Sequence, residues 1–145
     1  MNESPPLPRN QRKVDADHLN LLAIFHFVGA GLGLLGVLFL LGHYMVMHEI
    51  LTNPKLMANQ KQGPSPAEIF AILKWVYVIA GGWFVVSGIL NVISGCCLRA
   101  RKGRTFSLVA AVINCLHIPL GTVLGVFTLI VLLRDSVREL YAEDH

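Results

Sequence analysis

TFSLVAAVINCLHIPLGTVLGVFTLIVLL, residues 105–133, is the stretch that decides the fold of this chain. Its 29 residues include no Asp, Glu, Lys or Arg, and a straight helix of that length would run roughly 43 Å. The hydrocarbon core of a bilayer is only about 30 Å thick. The segment HIPLG at residues 117–121 places a helix breaker and a flexible residue in the middle. Residues 105–133 therefore form either one long kinked helix or two short helices folded back at Pro119.

Composition predicts a lipid environment for the rest of the chain. Of the 145 residues, 54% are hydrophobic and 14% are charged, and the mean hydropathy is +0.58. A typical soluble domain carries about 25% charged residues. The sequence therefore predicts an all-α integral membrane helical bundle with the lipid bilayer as a partner. Nucleic acid is not an expected partner, because no aromatic residues alternate with the basic ones.

Two further apolar runs predict two long helices that span the membrane. Residues 19–42 are uncharged, with Asp17 as the expected N-cap. Residues 68–98 follow SPAE at residues 65–68, which matches a capping box with proline at the first helical position. The predicted boundaries are a disordered cytoplasmic tail at residues 1–17, one transmembrane domain at 18–141 with an external loop at 49–67, and a C-terminal tail at 142–145.

Basic residues predict the orientation. Three of them lie within residues 9–13 and four within residues 99–104. By the positive-inside rule both groups are cytoplasmic, so the loop between the first two helices is expected outside a bacterial inner membrane. A double pass of residues 105–133 would return Arg134 and the C-terminus to the cytoplasm.

Four hydrophobic segments are favoured, with residues 105–117 and 119–133 as a short hairpin broken at Pro119. The alternative is three spans, the last of them kinked. Residues 105–117 would form a helix of only about 20 Å. The hairpin therefore implies either a thinned bilayer or a re-entrant turn among neighbouring helices.

Small residues recur on the predicted helices at spacings that allow close helix approach. Glycines spaced by four or seven residues leave a stripe with few side chains, and such stripes let membrane helices pack closely. The candidate packing residues are Gly29, Gly33, Gly36, Gly81, Gly88, Gly95, Gly121 and Gly125.

A few polar residues fall within the apolar runs. Asn91 is expected to face another helix, because an unpaired amide is costly in hydrocarbon. The intramembrane polar candidates are His26, Asn91, Asn114 and His117. Two weaker hypotheses concern ligands. His43 and His117 would hold a haem if they lay at matched depth, and His43 with Met47 would suit Cu(I).

The motifs of common enzymes are missing from the sequence. The glycines at residues 29–36 have no following Lys-Ser/Thr, and there is no HExxH or paired-cysteine spacing. The acidic residues lie in tails and loops, which leaves no intramembrane carboxylate for proton coupling. We therefore expect no enzymatic activity, no catalytic or metal residues and no cofactor.

Two motifs resemble a known group of proteins. They are HLNLLAIFHFV at residues 18–28 and IPLGTVLGVFT at residues 118–128, which leads to RDSV at 134–137. With these motifs the chain resembles small uncharacterised bacterial integral-membrane proteins that share an HLxLLxIFHxV start and a PxGTxLGxxTLxVLL end. The resemblance implies an inner-membrane location and helical hairpins, and it carries no activity.

Three functions remain open from the sequence. The leading hypothesis is a structural, scaffold or accessory subunit that acts through helix packing, by self-association or with another membrane protein. The alternative is a small transporter or channel in which Asn91, His26 and the break at Pro119 line a cavity. The third is a haem or copper redox subunit.

Overall fold

The computed structural model describes residues 9–53 and 65–143, and their regular structure is entirely helical. The five helices within these described ranges are α1 (Arg9–Thr52), α2 (Pro66–Ala100), α3 (Arg104–Asn114), α4 (Leu120–Leu132) and α5 (Asp135–Glu143). The predicted all-α class is therefore confirmed for these residues. By length and composition, α1 and α2 are each able to cross a membrane. A third span is possible if α4 and α5, which meet at an angle of 71°, count as one.

Helix α1 begins earlier than the sequence predicted. Residues 9–17 were expected to belong to a disordered tail with Asp17 as the N-cap, whereas the helix starts at Arg9. The reason is tertiary: the carboxylate of Asp15 is fully buried and lies 3.7 Å from the guanidinium of Arg134. Residues 1–8 of the predicted tail lie outside the described residues.

The start of α2 agrees with the sequence. The Ser65 backbone N–H donates to Glu68 Oε2 at 3.1 Å, and the Glu68 N–H donates to Ser65 Oγ at 3.3 Å. These reciprocal bonds are the predicted capping box. The predicted external loop is shorter than expected at its start, because α1 continues to Thr52, and residues 54–64 lie outside the described residues.

The stretch at residues 105–133 is broken into two helices. Helix α3 has 11 residues, α4 has 13, and a turn at residues 115–119 separates them. The guanidinium of Arg104, at the start of α3, donates two hydrogen bonds to the carbonyl of Leu132, at the end of α4, at 2.9 and 2.7 Å. The two helices therefore form an antiparallel hairpin whose ends lie together.

Contacts divide the chain into two compact units. The first unit contains residues 1–30 and 89–145, and the second contains residues 31–88. The first unit holds a hydrophobic core drawn from four helices, with Leu19, Leu22, Ala23, Leu98, Val131, Leu132, Val137 and Tyr141. Helix α5 contributes to this core with one face, because its buried residues Val137, Leu140 and Tyr141 follow helical spacing.

The second unit is a pair of helical segments from α1 and α2 in direct backbone contact. A Cβ at Gly33 would lie 3.4 Å from the carbonyl oxygen of Phe84, and one at Gly36 would lie 3.0 Å from the Phe84 ring. Further along, His43 hydrogen-bonds to the hydroxyl of Tyr77. Tyr44 packs edge-on against the Tyr77 ring. Glycine thus permits the close approach at one end of the pair, and aromatic rings fill the other.

Candidate polar site in the first unit

Polar side chains are buried inside the first unit although most of the chain is apolar. Seven of them have exposed fractions of 6% or less: Asp15, His26, Asn91, Ser94, Ser107, Asn114 and Thr128. Buried polar groups in an apolar bundle are costly unless they are hydrogen-bonded. They therefore mark the part of this molecule where polar chemistry is possible.

Two amides join α2 to α3. The Asn91 Nδ2 donates to Asn114 Oδ1 at 3.0 Å, and the Asn114 Nδ2 donates to Asn91 Oδ1 at 2.8 Å. A Cβ at Gly29 would lie 3.6 Å from Asn91 Oδ1. The structure thus brings together two of the predicted polar residues, and a predicted packing glycine lies against them.

His26 presents one unused nitrogen to the interior. Its Nδ1–H donates to the carbonyl of Leu22 at 3.0 Å, because a carbonyl can only accept. In the neutral ring this leaves Nε2 as an acceptor. Within the described ranges, buried His26 Nε2 has no hydrogen-bond partner, and the same is true of the buried hydroxyls of Ser94 and Ser107.

The packing of α1 on α2 sets the level of His26. A Cβ at Gly95 would lie 3.2 Å from the carbonyl oxygen of Ala23 and 3.0 Å from the ring of Phe27. His26 lies between these two contact residues on α1, and Ser94 precedes Gly95 on α2. The histidine and this serine therefore belong to the same layer of the first unit.

The hairpin turn is apolar outside and hydrogen-bonded inside. Ile118 is 85% exposed and Leu116 is 69% exposed. The His117 N–H donates to the Asn114 carbonyl at 2.9 Å, and the hydroxyl of Thr122 donates to the Cys115 carbonyl at 2.9 Å. The turn therefore satisfies backbone groups internally while it presents hydrocarbon to its surroundings.

The candidate packing glycines fall into three classes. At Gly121 and Gly125 a Cβ would overlap residues of α3 and the turn, at 2.7 Å from the Asn114 carbonyl oxygen and 2.6 Å from Cys115 Sγ, respectively. Gly29, Gly33, Gly36 and Gly95 are in packing contact, and the Gly88 backbone lies against Gly33. No atom of the described residues lies within 4 Å of a Cβ built at Gly81. The inward positions near it are Ala80 and Phe84, so Gly81 lies beside the packing seam and not on it.

Sequence reasoning missed four of the buried polar residues: Asp15, Ser94, Ser107 and Thr128. For two of them, the distance along the sequence from an asparagine on the same helix could have indicated burial. Ser94 lies three residues after Asn91 and Ser107 lies seven residues before Asn114, so each shares a helical face with an asparagine. Asp15 accepts hydrogen bonds from Gln11, four residues earlier, at 3.4 and 3.5 Å, but its ion-pair partner Arg134 is 119 residues away in the chain.

The histidines are the candidate ligands for a metal or a haem. No group of three or more His, Cys, Asp or Glu side chains that could hold a metal ion occurs in residues 9–53 and 65–143. His43 is hydrogen-bonded to Tyr77 and its ring packs near that of Phe39. The described residues therefore provide no assembled metal site, and the haem and copper hypotheses gain no support from this arrangement.

No family model, curated protein or solved structure matches this chain in the three comparisons with known proteins. The resemblance to small bacterial membrane proteins stays a prediction.

Proposed function

We propose that the chain is an integral protein of a bacterial inner membrane, with two full crossings and a hairpin that enters the bilayer only halfway. Both termini lie on the cytoplasmic side. The support is the exposure of large apolar side chains along α1 and α2, such as Phe39 at 70%, Ile72 at 69% and Ile79 at 69%. Apolar surface of this extent is costly in water and costs nothing in hydrocarbon.

The lengths of α3 and α4 support a half-crossing. Helices of 11 and 13 residues are roughly 16 and 20 Å long, against a hydrocarbon core of about 30 Å. Asn114, at the end of α3, pairs with Asn91, which lies eight residues before the basic Arg99 on α2. Eight residues correspond to about 12 Å, so the turn lies near the middle of the bilayer. The exposed Leu116 and Ile118 then meet lipid tails.

Within this topology the protein acts through helix packing, as a structural or accessory subunit that self-associates. The observation that carries this proposal is an open apolar depression on the outward face of α2 in the second unit. Its lining residues are Val76, Ile79, Ala80, Gly82, Trp83 and Val86. The small residues Ala80 and Gly82 leave room there for a ridge from another helix, which is how membrane helices associate in the absence of a hydrophobic driving force.

Filling the depression tests this function. Gly82→Leu and Gly82→Phe should convert a self-associated protein in mild detergent to a smaller species, measured by light scattering. The matched control is Gly42→Leu. A Cβ at Gly42, like one at Gly82, would meet no described atom within 4 Å, but Gly42 lies outside the depression. A wild-type protein that is monomeric, or a complex unchanged by both α2 substitutions, would contradict self-association.

A small transporter or channel is the second candidate, and the unpartnered atoms of His26, Ser94 and Ser107 favour it. Non-helical backbone at membrane depth is tolerated where it is buried in protein or lines a cavity, so in this second candidate the turn at residues 115–119 faces a polar cavity and not lipid tails. Purified protein in liposomes should then pass a small polar solute, and Ser94→Ala should reduce the flux without loss of folding. Absence of flux for any tested ion or solute would remove this candidate.

A further inference from the structure

The outward face of α2 in the first unit carries an apolar stripe that ends in a basic residue. Ile89 is 55% exposed and Val92 is 44% exposed, and exposed Cys96 and Arg99 follow on the same face. The spacings of three, four and three residues keep all four side chains on one side of the helix. From Ile89 to Arg99 the helix rises about 15 Å, which is about half the thickness of a bilayer core.

Two basic residues remain available where this stripe ends. In the turn after α2, Arg104 is committed to the Leu132 carbonyl. Arg101 is only half-exposed, and its charge acts against the burial that raises the pKa of the Tyr141 phenol to about 12. Arg99 and Lys102, in contrast, are exposed.

No acidic residue offsets this charge locally in the sequence. Between Glu68 and Asp135 the chain contains no Asp or Glu at all, while residues 99–104 contain four basic side chains. An exposed positive group beside exposed hydrocarbon matches one kind of molecule: an amphiphile with a negative head.

We propose that Arg99 and Lys102 form a binding site for the phosphate of an anionic phospholipid of the cytoplasmic leaflet. Its acyl chain lies along Ile89, Val92 and Cys96. This inference rests on the proposed membrane location. Each basic group near an anionic lipid surface strengthens binding about fivefold, and the guanidinium of Arg99 offers the phosphate two donors at once. A free phosphate ion would meet the same two cations and gain nothing from the apolar stripe.

The test is thermal unfolding of the full-length protein in a neutral detergent, titrated separately with phosphatidylglycerol, phosphatidylcholine and inorganic phosphate. Phosphatidylglycerol should raise the unfolding midpoint and the other two should not. The double variant Arg99→Gln/Lys102→Gln should bind phosphatidylglycerol roughly 25-fold more weakly, from about fivefold for each charge. The charge-preserving exchange Arg99→Lys/Lys102→Arg should keep most of the effect.

Lys74→Gln is the matched control, because Lys74 is an exposed basic residue near the other end of the same helix. It should leave the phosphatidylglycerol effect unchanged. Equal stabilisation by phosphatidylcholine would overturn the site, as would an equal effect of inorganic phosphate or a double variant that responds like the wild type. Recovery of the wild-type protein from the aqueous fraction of lysed cells would instead overturn the membrane location, so the two failures are distinguishable.

Discussion

The paired amides of Asn91 and Asn114 show what a single polar contact does inside an apolar bundle. Each amide satisfies the other with two short hydrogen bonds. An unpaired amide in a buried site carries its full desolvation cost, whereas two apolar replacements carry none. The net energy of the two hydrogen bonds is small, but leaving either amide unpaired is costly. This cost is what holds α3 against α2 at this point.

Removing one amide should cost more than removing both. Asn91→Leu and Asn114→Leu should each lower the free energy of unfolding by about 1–2 kcal/mol, because each strands its partner. The double variant Asn91→Leu/Asn114→Leu should recover part of that loss. Unfolding of the purified protein by SDS in mixed micelles measures the cycle. Additive losses would show that the two side chains do not interact.

Gly125 is a position where a methyl group should be poorly tolerated, because a Cβ there would overlap the carbonyl oxygen of Ala111. A Cβ there would lie 2.6 Å from Cys115 Sγ and 2.9 Å from the Cys115 backbone nitrogen, and backbone does not yield cheaply. We expect Gly125→Ala to destabilise the hairpin by about 1–3 kcal/mol. Gly31→Ala is the control, since a Cβ at Gly31 would meet no described atom within 4 Å. The same loss for both variants in a thermal-shift assay would argue against the close packing of α4 on α3.

Helix boundaries that depend on neighbouring residues were predicted from the sequence, whereas boundaries that depend on residues far apart in the chain were not. The capping box at Ser65 and Glu68 depends only on neighbouring residues, and it forms as predicted. Pro119 and Gly121 predicted the break between α3 and α4 in the same way. The extension of α1 to Arg9 depends on buried Asp15 and its ion pair with Arg134, which no local pattern reveals.

The glycine stripe of α2 lies beside the packing seam of that helix. Among the buried or half-buried positions of the helix, one set recurs in alternating steps of three and four, at residues 70, 73, 77, 80, 84, 87, 91, 94 and 98. This period is typical of helices packed in coiled-coil fashion. Gly81, Gly88 and Gly95, which are spaced seven residues apart, each follow a seam position by one residue. A shift of one residue turns a side chain by about 100°, so these glycines lie at the side of the seam. Gly95 and Gly88 still make contact there, whereas a Cβ at Gly81 would meet no described atom within 4 Å.

Arg104 should hold the two ends of the hairpin together. Its guanidinium donates twice to the Leu132 carbonyl, and a charged hydrogen bond contributes about 1.5–3 kcal/mol. Arg104→Gln should therefore accelerate amide hydrogen exchange at the end of α4 and the start of α5. Arg138→Gln is the control, because Arg138 is an exposed basic residue of α5. If exchange increased equally in both variants, general loss of charge and not this contact would be responsible.

For the whole molecule, composition predicted the class of fold, but the contacts between buried side chains could be seen only in the structure. The low charge content and the long apolar runs predicted helices able to cross a membrane, and two such helices are present. The buried groups of His26, Ser94 and Ser107 that lack a hydrogen-bond partner among the described residues were not predictable as a set, because they lie on three different helices.

The proposed half-crossing of the hairpin is tested by a reporter at its turn, residue 118. In a variant without native cysteines, Ile118→Cys is treated with a membrane-impermeant maleimide, first on intact spheroplasts and then on inverted membranes. Asn53→Cys, after the end of α1, and Lys102→Cys, in the basic turn, report the outside and the inside. We predict that Ile118→Cys stays unlabelled from both sides while each control is labelled from one. Labelling of Ile118→Cys from the outside at the rate of Asn53→Cys would contradict the half-crossing and show a hairpin that traverses the whole bilayer.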